Sequence, residues 1–303
     1  MVVVVVVWST FMPTDQLQNI TMSKHPIYNV TYTLHRLPPL HKFPSPPEFK
    51  THARYLQQLL RGDVLRGVRI ADDEALGRAG RLKGVTWKPL PPWRGPREVP
   101  EGEEEEEVED EGEILGTGVQ IEISYENTAY TSLLLSNSSS PTSHHSHSEF
   151  TRLPLLLTRM PKALRETLLS YIATSFDALP SPLPLPSQLL LDSLNTYLSR
   201  ASVRATKDVQ ITFGTPVSTL RSVTITIPRD DVEEFCRSGG RFYDALRKYA
   251  VGVMGLDVAA LTVAKVACGG FVLGAGRVKV FPPEDGGGGN IVRGLVEASG
   301  MGM

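Results

Sequence analysis

Residues 256–281 constrain the fold more than any other stretch of the chain. They read LDVAALTVAKVACGGFVLGAGRVKVF, an apolar and Val-rich run that four glycines interrupt. Val, Leu and Phe between glycine turns are typical of short paired strands, so the pattern predicts a C-terminal hairpin or meander. Strands of this kind either close a sheet or leave an edge to which a partner adds a strand.

The length and the cysteine content limit the class of protein. A chain of 303 residues, 41% of them hydrophobic, is long enough to bury a sizeable core in one large domain or two. Cys236 and Cys268 form no CxxC motif. This argues against a disulfide scaffold and a cysteine zinc site, and it indicates a reducing compartment. We interpret both thiols as small buried hydrophobic groups.

Charge is distributed unevenly along the chain. Residues 98–113 contain ten Glu and one Asp but no Lys or Arg, so the remainder holds 31 basic against 22 acidic residues. A basic body can contact the phosphates of nucleic acid, although a mixed charged surface without a ligand is the simpler explanation of the count. We expect the acidic run to be a solvated, disordered loop. Self-shielding of the basic body and contact with histones are the alternatives.

The N-terminal run MVVVVVVW does not resemble a targeting segment. It has no basic residues before its apolar part, and it is too short to span a bilayer. No window of the chain reaches about 18 consecutive apolar residues, the minimum for a transmembrane helix. We therefore expect no membrane contact.

Periodicity in the first half of the chain predicts strands around one helix. Alternation predicts a half-buried strand over residues 27–37, with His35 on its polar face. Residues 48–61 have helical spacing and end at Gly62, with an inner face of Phe49, Ala53, Leu56, Leu59 and Leu60. Further strands are predicted over residues 64–70, 85–89 and 114–135, the last divided by a turn at Glu126 and Asn127.

The second half predicts helices and strands in alternation. Residues 150–158 contain Pro154 and are interpreted as an edge strand or an extended entry. Helices are predicted over residues 162–179, 188–201 and 241–254. Ser187 caps the second of these, and Val253 is buried in the third. Asp230 or Asp231 caps a further, short helix. Residues 207–213 and 220–227 form a hairpin, and residues 291–298 form a short helix or a tail.

These elements predict an α+β fold with a curved, mostly antiparallel sheet or sheets and helices packed on one face. The predicted organisation is a disordered leader (1–26), an N-terminal α/β region (27–135) with a disordered acidic insert (95–113), a flexible Ser/His loop (136–149), a C-terminal α+β sheet domain (150–282) and a flexible tail (283–303).

Sequence motifs for catalysis and for metal binding are missing from the pattern. The segment GGFVLGAG contains neither GxGxxG nor GxxxxGK[ST], so we interpret its glycines as hairpin turns. His144, His145 and His147 have no cysteine or carboxylate partners at metal-site spacing. The sequence predicts no enzyme, no cofactor and no metal. A small-molecule enzyme without a recognisable motif and a stand-alone DNA-binding protein remain the alternatives.

Three segments resemble a known family. IYNVTYTLHRLPPL (27–40) and THARYLQQLLRGDVLRGVRI (51–70) are similar to the N-terminal signature of fungal CENP-L-type inner-kinetochore subunits. VAKVACGGFVLGAGRVKVF (263–281) is similar to the C-terminal strands of that family. The resemblance covers both ends of the chain and leaves the acidic and Ser-rich inserts between them.

The resemblance implies a non-enzymatic scaffold of the constitutive centromere-associated network in the nucleus. Such a protein pairs with a CENP-N-like subunit and other inner-kinetochore proteins, sits on centromeric chromatin and supports chromosome segregation. Indirect or weak contact with centromeric DNA or the CENP-A nucleosome, and homodimerisation, are left open.

We expect the partner to complete an edge or a face of the C-terminal strands. Main-chain hydrogen bonds would then supply affinity and alternate side chains specificity. The predicted partner-binding residues are Val263, Lys265, Phe271, Leu273, Val278 and Val280.

Overall fold

The structure is a computed structural model that describes residues 3–5, 25–65, 74–94, 113–138, 149–200, 207–216, 220–237, 241–282 and 287–300. The chain forms two compact units. The first comprises residues 1–30, 95–107 and 184–291, and the second comprises residues 31–94, 108–183 and 292–303. Most of the acidic run and of the Ser/His loop, and nearly all of the leader, lie outside the described residues, so the predictions for them stay predictions.

The strands, in chain order, are β1 Val3–Val5, β2 Thr31–Arg36, β3 Leu40–His41, β4 Leu82–Arg94, β5 Ile114–Tyr125, β6 Ala129–Asn137, β7 Phe150–Thr151, β8 Leu155–Arg159, β9 Ser181–Pro182, β10 Val209–Gly214, β11 Ser222–Ile227, β12 Thr262–Ala267, β13 Phe271–Gly274 and β14 Arg277–Val280. The helices are α1 Phe49–Leu65, α2 Glu74–Ala79, α3 Lys162–Phe176, α4 Ser187–Arg200, α5 Arg229–Arg237, α6 Phe242–Met254 and α7 Gly287–Gly300. The α+β class with mostly antiparallel, curved sheet structure and packed helices is confirmed.

The second unit is built on an antiparallel sheet in the order β2-β8-β6-β5-β4. Strand β8 pairs with β2 on one side and β6 on the other, so the edge-strand interpretation of residues 150–158 is wrong for residues 155–158. Strand β7, at residues 150–151, pairs only with β3 among the described strands. Pro154 lies in the gap between β7 and β8, where its missing N–H breaks no ladder hydrogen bond. The turn at Glu126 and Asn127 between β5 and β6 is confirmed.

Helices α1 and α3 cover the core of this unit. The buried face of β5 is the predicted one, Val119, Ile121, Ile123 and Tyr125, and it belongs to the same cluster as Leu56 and Leu60 of α1 and Leu168 and Ile172 of α3. Burial of these apolar side chains is the main source of stability for the unit.

Helix α1 departs from its prediction in two respects. It continues through Gly62 to Leu65, so the predicted stop at Gly62 and the strand from Val64 are wrong there, while residues 66–70 lie outside the described part. A glycine inside a helix costs only about 1 kcal/mol, which the packing of the helix offsets. Leu59, predicted to face inward, is 38% exposed.

The first unit contains the sheet order β1-β11-β10-β12-β13-β14. The predicted β10–β11 hairpin is confirmed, with Val209, Ile211 and Phe213 buried on one side. Helix α5 begins at Arg229, whose N–H donates to Oδ1 of Asp208 at 3.1 Å. Asp230 and Asp231 therefore lie in the first turn and are not caps. There their negative charges interact favourably with the helix dipole.

Helix α6 differs from its prediction at its C-terminal end. Phe242, Leu246 and Ala250 are buried as predicted, but Val253 is 67% exposed.

Strands β12, β13 and β14 form the meander that the glycine pattern predicts. Ala275 and Gly276 form the two-residue turn between β13 and β14, with φ of 49° and 68°. Positive φ at both positions is typical of hairpin turns that match the twist of paired strands, and glycine adopts it without steric cost.

Helix α7 occupies a segment that the sequence left between a short helix and a flexible tail. Its residues Val292, Leu295 and Val296 are buried. In the second unit, the side-chain amide nitrogen of Asn137 donates to the carbonyl oxygen of Arg293 at 3.4 Å. Among the described residues, no helix has the length and apolar character needed to span a membrane.

Candidate partner interface

The structure separates the six predicted partner-binding residues into two groups. Five side chains, those of Val263, Phe271, Leu273, Val278 and Val280, are at most 4% exposed and lie in the core. Lys265 alone of the six is exposed. The five apolar residues therefore shape the sheet from inside, and a direct contact with a partner is open to Lys265.

The strands that carry these residues are not free edges. β12 pairs with β10 and β13, and β13 pairs with β12 and β14. On β14, the carbonyl oxygen of Val280 accepts a hydrogen bond from the N–H of Asn29 at 2.8 Å. A partner strand cannot be added where both neighbours are already present, so the edge form of the expectation does not hold for β13 or for residues 265–267 of β12. A face of the sheet remains.

One face of the β10–β14 sheet is exposed. Cross-strand pairing aligns two rows of side chains whose members are exposed or partly exposed, apart from Gly274. The first row is Thr224, Thr212, Lys265, Gly274 and Arg277, and the second row is Thr226, Gln210, Ala267, Val272 and Lys279. We call these ten residues the open sheet face.

The open sheet face is cationic on one side. Lys265 and Arg277 pair with Gly274 from opposite strands, so their Cα atoms lie about 10 Å apart across a position without a side chain. Lys279 follows Arg277 on the same face, and its Nζ lies 5.1 Å from the ring centroid of Phe281. No acidic residue belongs to the face, and no ion pair involves these three cations among the described residues.

The opposite side of the sheet is supported by α4. The ring of Tyr197 meets that of Phe271 edge-on, with centroids 5.7 Å apart. Gly270 leaves room for the same ring, because a Cβ at this position would overlap it. On the open side, the hydroxyl groups of Thr212 and Thr224 are 3.0 Å apart across β10 and β11. The open sheet face is therefore backed on its other side by the packed side chains of α4.

The cysteines show no sign of reactive chemistry. Burial raises the pKa of the Cys268 thiol to about 12. Burial also raises the pKa of the partly buried Cys236, with Glu233 adding to the effect. A thiolate is the reactive form, so both residues are poor nucleophiles at neutral pH. In the described ranges, no three His, Cys, Asp or Glu side chains come together as metal ligands would.

Of the open sheet face, the sequence pattern predicted Lys265 but neither Arg277, which is exposed, nor Lys279, which is partly exposed. The signal was the alternation in RVKV: if Val278 and Val280 face the core, Arg277 and Lys279 face outward. In β12 the alternation is broken between Val263 and Lys265, where the register with β10 shifts. That irregularity is visible only once the pairing is known.

Comparison with known proteins gives one assignment. The sequence profile described as "Centromere protein L" matches residues 26–298, which is most of the chain. A search of curated protein sequences finds no match. The matched region includes the β12–β14 meander and the open sheet face. The chain therefore belongs to the Centromere protein L family, whose members are kinetochore subunits of the centromere and serve chromosome segregation.

Proposed function

We propose that this chain is a non-enzymatic scaffold subunit of the inner kinetochore that pairs with a CENP-N-like protein in the nucleus. The observation that carries the proposal is the family match over residues 26–298. The open sheet face supplies a surface for pairing, because most of its residues are exposed or partly exposed and a packed core lies behind it.

The charge of the open sheet face determines which kind of partner surface can bind to it. Lys265, Arg277 and Lys279 attract carboxylates, while Ala267 and Val272 offer small apolar contacts between them. A partner with an acidic surface matches this arrangement, and charge complementarity speeds association and selects partners. Other inner-kinetochore proteins would bind to the pair that this chain forms with the CENP-N-like subunit.

The test is co-purification with a CENP-N-like subunit from co-expressing cells. The variant K265E/R277E/K279E reverses the face, and the control K207E/R221E/K248E makes the same charge change at three exposed cations elsewhere in the first unit. We expect the first variant to lose the complex and the control to retain it, with both folded by circular dichroism. Equal recovery of the complex with both variants would overturn the pairing through this face.

Direct contact with DNA is a second candidate, because the three cations lie within one face that has no acidic residue. Phosphate contacts would give a binding constant that falls steeply with salt. A gel shift with a random-sequence duplex, at increasing salt and without the partner, separates this candidate. Binding that K265E/R277E/K279E abolishes supports it, and equal binding by that variant refutes it.

Homodimerisation of the scaffold is tested separately by its mass in solution. Light scattering over a range of concentrations distinguishes a monomer that awaits its partner from a dimer of identical chains.

A further inference from the structure

We propose that the outer side of α1 is a second docking surface, which binds an acidic protein segment carrying apolar side chains. The surface consists of Lys50, Arg54, Arg61, His52, Tyr55 and Leu59, and we call it the α1 surface. It lies in the second unit and shares no residue with the open sheet face.

Large apolar side chains are exposed on one flank of this helix. Tyr55 is 58% exposed and Leu59 is 38% exposed, although the opposite side of α1 is fully packed. The two residues are four positions apart, so they are neighbours on one face of the helix. His52 precedes Tyr55 by one turn on the same flank and is partly buried. Together they form a short aromatic and aliphatic strip.

Contacts with the core of the second unit hold this strip in place. Nδ1 of His52 lies 2.9 Å from the hydroxyl of Tyr171 on α3, which restrains the imidazole. The rings of His52 and Tyr55 meet at 81° with centroids 6.4 Å apart. On its inner side His52 also meets the ring of Trp87, with centroids 5.9 Å apart. An exposed tyrosine that is restrained in this way loses less conformational entropy when a partner binds.

Cations form the other flank of the same helix. Helical spacing places Lys50, Arg54 and Arg61 in one row, and all three are exposed. No ion pair neutralises any of them within the described part of the chain. The side-chain amide of Gln57 donates to the carbonyl oxygen of Lys83 at 3.4 Å. The row therefore adjoins the start of β4, where Lys83 is a further cation.

The part of the helix surface between the two flanks is neutral. Thr51 and Gln58 lie there, and residues 49–62 contain no acidic side chain. The nearest carboxylate before the helix, that of Glu48, already accepts hydrogen bonds from the N–H and the hydroxyl of Ser45, at 2.9 and 3.0 Å. The three cations of the α1 surface outnumber the carboxylates of Glu48, just before the helix, and Asp63, near its end, so the net charge of this stretch is positive.

This combination favours a protein segment over nucleic acid. Phosphates would satisfy Arg54 and Arg61 but would leave Leu59 in contact with water or with charge. A segment with Asp or Glu on one side and Phe, Ile or Leu on the other satisfies both flanks at once. Apolar anchors beside charged residues are the usual anatomy of protein–protein contacts.

The test uses the full chain and a fluorescein-labelled synthetic peptide in which Glu and Asp alternate with Phe and Ile. Binding is followed by fluorescence anisotropy. Comparison probes are the same peptide with its apolar residues changed to Ser, and a random-sequence DNA duplex. Two variants remove one flank each, R54E/R61E and Y55S/L59S. Their controls on exposed positions of the first unit are R221E/K248E and V251S/V253S.

We expect saturable binding of the amphipathic peptide, a tenfold or greater loss in both α1 variants, and unchanged binding in both controls. The Ser-containing peptide should bind at least tenfold more weakly. Equal losses in the controls, or no saturable binding at all, would overturn the proposal.

Two other outcomes identify a different occupant and also overturn the proposal. If Y55S/L59S binds normally while the DNA duplex competes with the peptide, the surface is a phosphate-binding one. If changing the glutamates of residues 98–113 to Gln strengthens peptide binding tenfold, the acidic run of the chain itself occupies the surface.

Discussion

The hydroxyl of Ser187 bonds both backbone groups of Val263. It accepts from the N–H at 3.1 Å and donates to the carbonyl oxygen at 3.3 Å. The pairing of β12 with β13 ends at Lys265 and Gly274, so none of the described strands reaches Val263 on that side. Ser187 stands in for the missing strand and ties the start of α4 to β12.

The first prediction follows from this contact. Ser187→Ala should lower the free energy of unfolding by about 1–3 kcal/mol, because it leaves two partly buried backbone groups of Val263 without a partner. Urea unfolding measures the change. Ser187→Thr retains the hydroxyl and serves as the control; an alanine variant as stable as the native chain would contradict the role.

The contact between Gly270 and Tyr197 gives the second prediction. Gly270→Ala forces a methyl group into the ring of Tyr197 and should destabilise the protein by about 1–3 kcal/mol. Gly252→Ala is the matched control, since nothing lies within 4 Å of that position in α6. Alanine there should be neutral or should stabilise the helix by up to about 1 kcal/mol. Thermal melts of both variants measure the contrast, and equal melting temperatures would refute the steric argument.

His35 gives a prediction about pH. Its side chain is only 4% exposed, and neither ring nitrogen has a hydrogen-bond partner among the described residues. Burial, together with the charge of Arg165, lowers its pKa to about 4. The unfolded chain therefore takes up this proton first, so stability is full above about pH 6.5 and falls as the pH drops toward 4.

The size of that fall is measured by comparison with His35→Leu. Between pH 7 and pH 4.5 the native chain should lose about 2–3 kcal/mol more unfolding free energy than the variant, because other titrating groups contribute equally to both. Urea unfolding at the two pH values provides the numbers. Parallel pH profiles of the two proteins would show that His35 is not the group responsible.

The fourth prediction distinguishes the core from the surface of the predicted interface. Phe271→Glu places a carboxylate in a fully buried position, and we expect it to prevent folding or to cost several kcal/mol. Lys265→Glu, on the exposed side of the neighbouring strand, should stay within about 0.5 kcal/mol of the native chain. Circular dichroism and thermal melts test both. A loss of partner binding in Lys265→Glu can therefore be attributed to the surface, whereas a loss in Phe271→Glu would mainly reflect a defect in folding.

Much of the fold was accessible from the sequence. Alternation located β5, β10 and β11 and identified their buried residues, because a strand with one packed face has a period of two. Glycine spacing located the turns of the β12–β14 meander, because Gly276 adopts a positive φ that most residues avoid. The errors concern helix ends and exposure, as at Gly62, Leu59 and Val253, where packing partners decide the outcome and local propensity does not.

His35 illustrates why burial could not be read from alternation alone. The pattern placed it on a polar face, but its strand lies inside a sheet, where it is paired at Leu156 of β8 and Pro182 of β9. A side chain in such a position is buried whichever face it occupies if further structure covers that face. Its neighbours come from residues more than 100 positions away, which no local pattern contains.

Local periodicity, turn residues and ordered motifs were enough to predict the class of fold, the C-terminal meander and the resemblance to a kinetochore family. Which side of that meander is available depends on strand pairing, which local patterns do not contain. Strand pairing buried Val263, Phe271, Leu273, Val278 and Val280, and it aligned Lys265, Arg277 and Lys279 on the exposed side. The physical reason is that exposure is a property of the partners of a strand, and those partners are distant in the chain.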